Sequence, residues 1–194
     1  MPSDPLILAF DTSAAHCASA LLRGDRIVAA RAEDMGRGQA ERLMPLLEET
    51  LADGGAVWSG LSAIGVGVGP GNFTGIRIAV SAARGLALGL GIPAVGVDGF
   101  AARRPNCPPG ALPAISAPRG QVFVCPPSDT PRLMPRAEAE ALAPLHEVTN
   151  PALLAEAIAR LAAARWRETN EPPAPLYLRP ADAAPSRDLP PALL

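Results

Sequence analysis

An α/β fold built on a mixed sheet is predicted by three features of the chain. Apolar runs of strand length at residues 6–10, 63–68 and 92–97 each end in turn chemistry: Asp11-Thr12-Ser13, Gly69-Pro70-Gly71-Asn72 and Asp98-Gly99. Between them lie two stretches, 39–51 and 75–91, whose apolar positions recur at helical spacing. Residues 17–22 and 27–31 read as strands joined by the turn Arg23-Gly24-Asp25-Arg26. Strands joined through a helix run parallel, whereas strands joined by a tight turn run antiparallel. The order strand, strand, strand, helix, strand, helix, strand therefore needs both pairings in one sheet.

The first helix places Ala40, Leu43, Met44, Leu47 and Leu51 on one side and Glu41, Glu48 and Glu49 on the other. Pro45 falls inside it and predicts a kink or a late start, because its ring clashes with the preceding turn. Four glycines, Gly65, Gly67, Gly69 and Gly71, weaken the next strand as a packing element and point to a sharp turn or a close backbone approach. Thr74 then stands at the expected N-cap of the second helix. That helix carries only Arg77 and Arg84 as charges, with Ser81 on the same face, while Gly75, Ala79, Ala82, Ala83 and Ala87 keep it small. A solvated helix shows a polar half, so this one is expected to be buried in its own domain or covered by a partner.

This element order is that of a ribonuclease H-like lobe, the unit that actin, hexokinase and Hsp70 ATPases use twice. The expected architecture is two-lobed, with residues 1–100 as a complete N-terminal lobe and 101–194 as a reduced C-terminal one. Of the 23 prolines, 19 lie from Pro93 onward, which forces short elements there. Strands at 112–117 and 121–125 are expected across Pro118-Arg119-Gly120. A helix opens at Pro151 and runs through Leu154, Ile158, Leu161 and Ala162. A last strand is read at 176–179, with 175–180 returning to the N-terminal lobe.

At 194 residues, 48% hydrophobic and net charge −2, the chain reads as folded and globular, without a basic field for nucleic acid. All 17 of its basic residues are arginine. The absence of lysine removes the lysine-dependent P-loop, a Schiff-base mechanism and the kinase strand lysine. Cys17, Cys107 and Cys125 are widely spaced and fit reduced thiols better than a disulfide frame or a zinc site. The opening Met1-Pro-Ser-Asp-Pro has no basic region, and the apolar stretch 79–93 is broken by Ser81 and Arg84. No signal peptide, no membrane span and a cytoplasmic location are expected.

The pairing of Leu6-Ile-Leu-Ala-Phe-Asp11-Thr12-Ser13 with Gly69-Pro70-Gly71-Asn72-Phe73-Thr74-Gly75-Ile76-Arg77 resembles the TsaB (YeaZ) family of bacterial tRNA threonylcarbamoyladenosine biosynthesis proteins. Glu41-Arg42-Leu43-Met44-Pro45 and Pro175-Leu176-Tyr177-Leu178-Arg179 extend the likeness, which is close over the first hundred residues and loose beyond. Two departures are Ser116-Ala117-Pro118, where the family usually has Asp-Ala-Arg, and Gln39, where a His is frequent. The resemblance implies a non-catalytic, stabilising subunit rather than an enzyme. It implies pairing with TsaD, which holds the metal and transfers the threonylcarbamoyl group, work with the ATPase TsaE, and homodimers when alone. It implies no cofactor or metal of its own, ATP and Mg entering only at the assembled complex, and tRNA reached through that complex.

Two sets of candidate residues follow. Asp11, Thr12 and Ser13, with Gly69, Gly71, Asn72, Thr74 and Gly75, stand where ATPases of this fold hold a metal-bound phosphate. The same residues also make an ordinary Asx turn and a tight strand-to-helix loop, and because the resemblance implies a subunit that has lost hydrolysis, they are read as vestigial nucleotide loops with no catalytic residue among them. An independent nucleotide-dependent enzyme, an ATPase or phosphotransferase, is the competing reading. His16 and His146 each stand alone, and Ser13 with His16 lacks the nucleophile elbow of a hydrolase. The second set is an apolar dimer interface at Leu43, Leu47, Ile76, Ala79, Val80, Ala83 and Leu86.

Overall fold

The computed structural model describes residues 4–126 and 130–178. Strands β1 (Leu6–Asp11), β2 (His16–Arg23), β3 (Arg26–Asp34), β4 (Ala63–Gly67) and β5 (Ala94–Val97) form one sheet of order β3-β2-β1-β4-β5. The pairs β1–β2 and β2–β3 are antiparallel, while β1–β4 and β4–β5 are parallel. This is the mixed sheet of a ribonuclease H-like lobe. Helices α1 (Gln39–Asp53) and α2 (Phe73–Leu90) make the two crossovers.

Because side chains alternate along a strand, β1 divides its residues between two cores. Leu6, Leu8 and Phe10 join α1 and α2 through Leu43, Leu46, Leu47, Ile76, Ala79 and Ala83. Ile7 and Ala9 face the other way, onto helix α5 (Pro151–Ala163) through Leu154, Ile158 and Ala162. A buried sheet covered on both faces explains why β1 and β4 are almost continuously apolar. It also assigns α5 to the first sheet, although α5 lies in the second half of the chain.

A smaller sheet of order β8-β7-β6-β9 follows, from β6 (Leu112–Ala117), β7 (Gln121–Val124), β8 (Arg132–Pro135) and β9 (Leu145–His146). The β6–β7 turn uses Arg119 and Gly120, both at positive φ. Short helices α3 (Gly99–Arg103) and α4 (Arg136–Leu142) complete this half. Its core is small: Ala114, Val122, Val124 and Ala139 form one cluster, and Phe100, Ile115 and Phe123 another. The reduced C-terminal lobe is thus a four-stranded sheet with little helical cover.

Three local expectations are corrected. The N-cap of α2 is Asn72, whose side chain accepts from Gly75 N at 2.9 Å, and Thr74 lies exposed inside the first turn. Of the two alternatives for Pro45 the late start is ruled out, since helix α1 begins at Gln39 and continues through Pro45, which lies on its exposed side. Residues 176–178 form no strand, and Arg179 lies outside the described residues. Leu176 N instead makes a single hydrogen bond of 2.8 Å to Val68 O, at the end of β4.

Candidate functional site

Parallel pairing of β1 and β4, with Phe10 beside Val66, brings their C-terminal ends together. The Asp11-Thr12-Ser13 turn and the loop at residues 69–75 therefore meet, as the sequence suggested, and they close on each other. Asn72 N donates to Ser13 O at 2.6 Å, and Thr12 Oγ1 donates to Gly75 O at 2.7 Å. A Cβ at Gly67 would overlap Asp11 Oδ2, one at Gly71 the Ser13 carbonyl, and one at Gly75 the Thr12 carbonyl. The glycines are required by the turn lying against them. Gly75 N and Ile76 N are taken by Asn72, and Gly69 O accepts from Gly99 N. Three of the amides that could cradle a phosphate, those of Asn72, Gly75 and Ile76, are already bonded within the chain.

Asp11 is the centre of this arrangement and is 2% exposed. Its Oδ1 accepts from Ser13 N at 3.0 Å and Ser13 Oγ at 2.9 Å, and lies 2.7 Å from His16 Nε2. Burial pushes the carboxyl up, but the hydrogen bond and charge of His16, with the two Ser13 donors, outweigh it and hold Asp11 below the usual carboxylate range. Ser13 and His16 both bond to the carboxylate rather than to each other. A serine nucleophile needs the histidine to take its proton, so this is a structural knot rather than a hydrolytic triad.

Arg103 is a residue that sequence reasoning did not single out. It is 7% exposed, donates from Nη1 to Gly99 O at 2.9 Å, and leaves Nε buried without a partner. Burial lowers its pKa, while the charges of Asp11 and Glu147 oppose that shift. It thus balances the acidic groups between the two sheets. No spacing or motif in the sequence marks it. Another unforeseen feature is the clasp at the start of α2. Arg77 stacks 3.9 Å over Phe73 and donates from Nε to Tyr177 Oη at 3.0 Å. This holds the returning segment on the helix.

The expected interface residues are corrected by burial. Leu43, Leu47, Ile76, Ala79, Val80 and Ala83 are at most 3% exposed, and Leu86 packs half-buried against the same core. They bind α1 and α2 to their own sheet, because the inward stripe of a helix takes its largest apolar residues. The outer surface presents other residues: Glu41, Met44 and Glu48 on α1, and Arg77, Arg84 and Leu88 on α2. Leu88 is 86% exposed, and a Cβ at Gly85 or Gly89 would meet nothing within 4 Å. By length and composition α2 is apolar enough to cross a membrane, yet only 28% of it is buried inside the fold. Among the described residues no group of three His, Cys, Asp or Glu is arranged to hold a metal ion.

A mixed five-stranded sheet with two crossover helices on one face and α5 on the other places the chain in the ribonuclease H-like class of the actin and Hsp70 ATPases. The chain belongs to the family described as TsaD, tRNA N6-adenosine threonylcarbamoyltransferase, whose model matches residues 32–175. It is 37% identical over 122 residues to the tRNA threonylcarbamoyladenosine biosynthesis protein TsaB of Escherichia coli (strain K12), covering 60% of this chain and 52% of that protein. With TsaB of Bacillus subtilis (strain 168) it shares 37% identity over 120 residues, again with 52% of that protein covered. The chain thus spans about half the length of the curated TsaB relatives it matches. An uncharacterized protein of Mycobacterium tuberculosis (strain ATCC 25618 / H37Rv) is 31% identical over 198 residues, covering 92% of this chain and 94% of the other. Among solved structures, YeaZ from Pseudomonas aeruginosa superposes with a TM-score of 0.72 at 26% identity, over 90% of this chain and 100% of that one. The resemblance to TsaB and YeaZ drawn from the two loop motifs therefore stands.

Proposed function

We propose that the chain is a non-catalytic accessory subunit in the formation of threonylcarbamoyladenosine on tRNA, in the cytoplasm, and that it docks onto the transferase TsaD through the outer face of α1 and α2. The observation that carries this reading is an asymmetry within one lobe. The loops that hold phosphate in ATPases of this fold are here tied against each other by the chain's own hydrogen bonds. The outer face of the helix beside them carries little charge and exposes Leu88 between Gly85 and Gly89. A partner is the physical remedy for an exposed apolar helix face. Such a subunit acts by binding the active conformation of TsaD more tightly than the inactive one, which shifts the population towards it.

The test is incorporation of labelled threonine into unmodified tRNA by TsaD and TsaE from the same source, with and without this chain. Incorporation is expected to require the chain and to persist with Asp11→Asn. It is expected to be lost with Gly85→Glu, a substitution into open space that leaves the core untouched. Equal incorporation without the chain would overturn the subunit reading. Calorimetry with Mg-ATP on the wild type and Asp11→Asn would then decide whether the independent nucleotide-dependent enzyme takes its place.

A further inference from the structure

A groove of about 620 Å³ lies between the outer side of α2 and the segment that returns to it. It is lined by Arg77, Val80, Ser81 and Arg84 on the helix and by Pro175 and Tyr177 opposite. That size falls within the range of small-molecule sites. Both walls are fixed. The inner stripe of α2 holds the helix on the sheet, while Leu176 packs on the same core and donates its N–H to Val68 O at 2.8 Å. Arg77, Ser81 and Arg84 stand at i, i+4 and i+7, so two turns of helix carry three polar groups along one stripe.

Every polar side chain in the groove can donate a hydrogen bond, and no carboxylate lines it. Arg77 is already positioned. Its stacking over Phe73 at 3.9 Å and the bond from Nε to Tyr177 Oη at 3.0 Å fix the guanidinium, and both Nη groups are left without a partner among the described residues. Because Tyr177 Oη accepts in that bond, its own hydrogen remains to donate. Arg84, two turns further on, makes no hydrogen bond or ion pair among the described residues. The guanidiniums of Arg31, Arg42 and Arg136 are by contrast taken up by acidic side chains. The groove is therefore a set of donors with two positive charges, and its chemical complement is an anion with several oxygens. A guanidinium fork matches phosphate oxygens, and two forks about 10.5 Å apart along the helix call for two phosphoryl groups rather than one.

We propose that this groove binds a diphosphate group, with Arg77 and Arg84 each holding one phosphoryl end and Ser81 and Tyr177 donating to the remaining oxygens. None of its lining residues belongs to the Asp11 turn or to the glycine loop at 69–75, so this is a separate site. It goes beyond the subunit reading and does not depend on it. The same chemistry is offered by free inorganic diphosphate and by the diphosphate of a nucleotide. Tyr177 is 40% exposed while its ring meets Phe73 at 4.8 Å, so ring surface remains on which a base can stack.

Titration calorimetry of the full chain with sodium diphosphate, at low salt and without divalent cations, tests the site. Saturable one-to-one binding is expected, weakening as salt rises because charge holds the ligand. Arg84→Ala is expected to weaken binding about tenfold or more, and Arg84→Lys less, since the charge stays while the fork is lost. Arg84 bonds to nothing else in the described fold, so both variants are expected to melt like the wild type. Orthophosphate, which spans only one guanidinium, is expected to bind about tenfold more weakly than diphosphate. Arg160→Ala removes a surface arginine elsewhere, one that donates to Asp25 O, and is expected to change nothing. ADP distinguishes the two sources. An advantage of ADP over diphosphate that Tyr177→Phe keeps and Tyr177→Ala loses supports the site with a nucleotide as its ligand, and equal or weaker binding of ADP supports it with inorganic diphosphate. The absence of saturable binding at millimolar diphosphate overturns the proposal, as does binding that Arg84→Ala leaves intact or that Arg160→Ala weakens equally. Orthophosphate binding as tightly as diphosphate overturns the two-ended grip.

Discussion

At the scale of single residues, Asp11 links the pH dependence of stability to the closure of the two loops. Its carboxyl is held below its ordinary value in the folded state, so its contribution is fully present above about pH 4, the unfolded pKa. It is lost as pH falls through the lower folded value. Asp11→Asn is expected to cost about 1–3 kcal/mol at neutral pH, by leaving buried donors poorly matched, and to flatten the stability profile on the acid side. Urea melts between pH 2 and pH 7 check both. Capping gives a second residue-scale prediction. Asn72→Ala is expected to destabilise by about 1 kcal/mol and Thr74→Ala by much less, because only Asn72 accepts from a free amide of α2. Thermal melts of the two variants decide it. The sequence alone favoured Thr74: both residues are good caps, and what chooses between them is where the backbone first turns helical.

At the scale of elements, α2 has to serve two surfaces. Its inner stripe packs on β4 and β1, while Gly85 stands in open space. In an isolated fold, Gly85→Ala is expected to stabilise the chain by about 0.5–1 kcal/mol, since alanine is the better helix former and no neighbour opposes its methyl group. If a partner helix approaches this spot, the same variant is expected to weaken association while raising the melting temperature. Measuring both on one variant separates helix propensity from docking. The apolar periodicity of α1 and α2 was legible, and so was the scarcity of charge on α2. Which stripe faced the sheet was not, because a helix with apolar residues on most sides has no unique inward direction until the sheet is in place.

For the whole molecule, the second half of the chain is not independent of the first. Helix α5 covers the face of the sheet formed by Ile7, Ala9, Leu22, Ala63, Val95 and Val97. The division at residue 100 predicts that an N-terminal fragment folds by itself. The packing of α5 predicts otherwise. A fragment of residues 4–126 is expected to bind hydrophobic dye and to melt without a cooperative transition, since it leaves that apolar face in water. Adding a peptide of residues 150–168 is expected to recover part of the transition. A cooperative melt of the fragment alone would restore the simple two-lobed division.

Strand runs, helix spacing, the order of elements and the two loop motifs were determined by the sequence itself, because they depend on local backbone preference and on side-chain period. Tertiary structure alone decided that the glycine loop is occupied by the Asp11 turn, that Arg103 is buried between the sheets, and that α5 belongs to the first sheet. Each of these depends on contacts between residues tens of positions apart. The physical reason is that a free amide and a bonded one read identically in the sequence, and only the arrival of a distant carbonyl distinguishes an anion site from a closed turn.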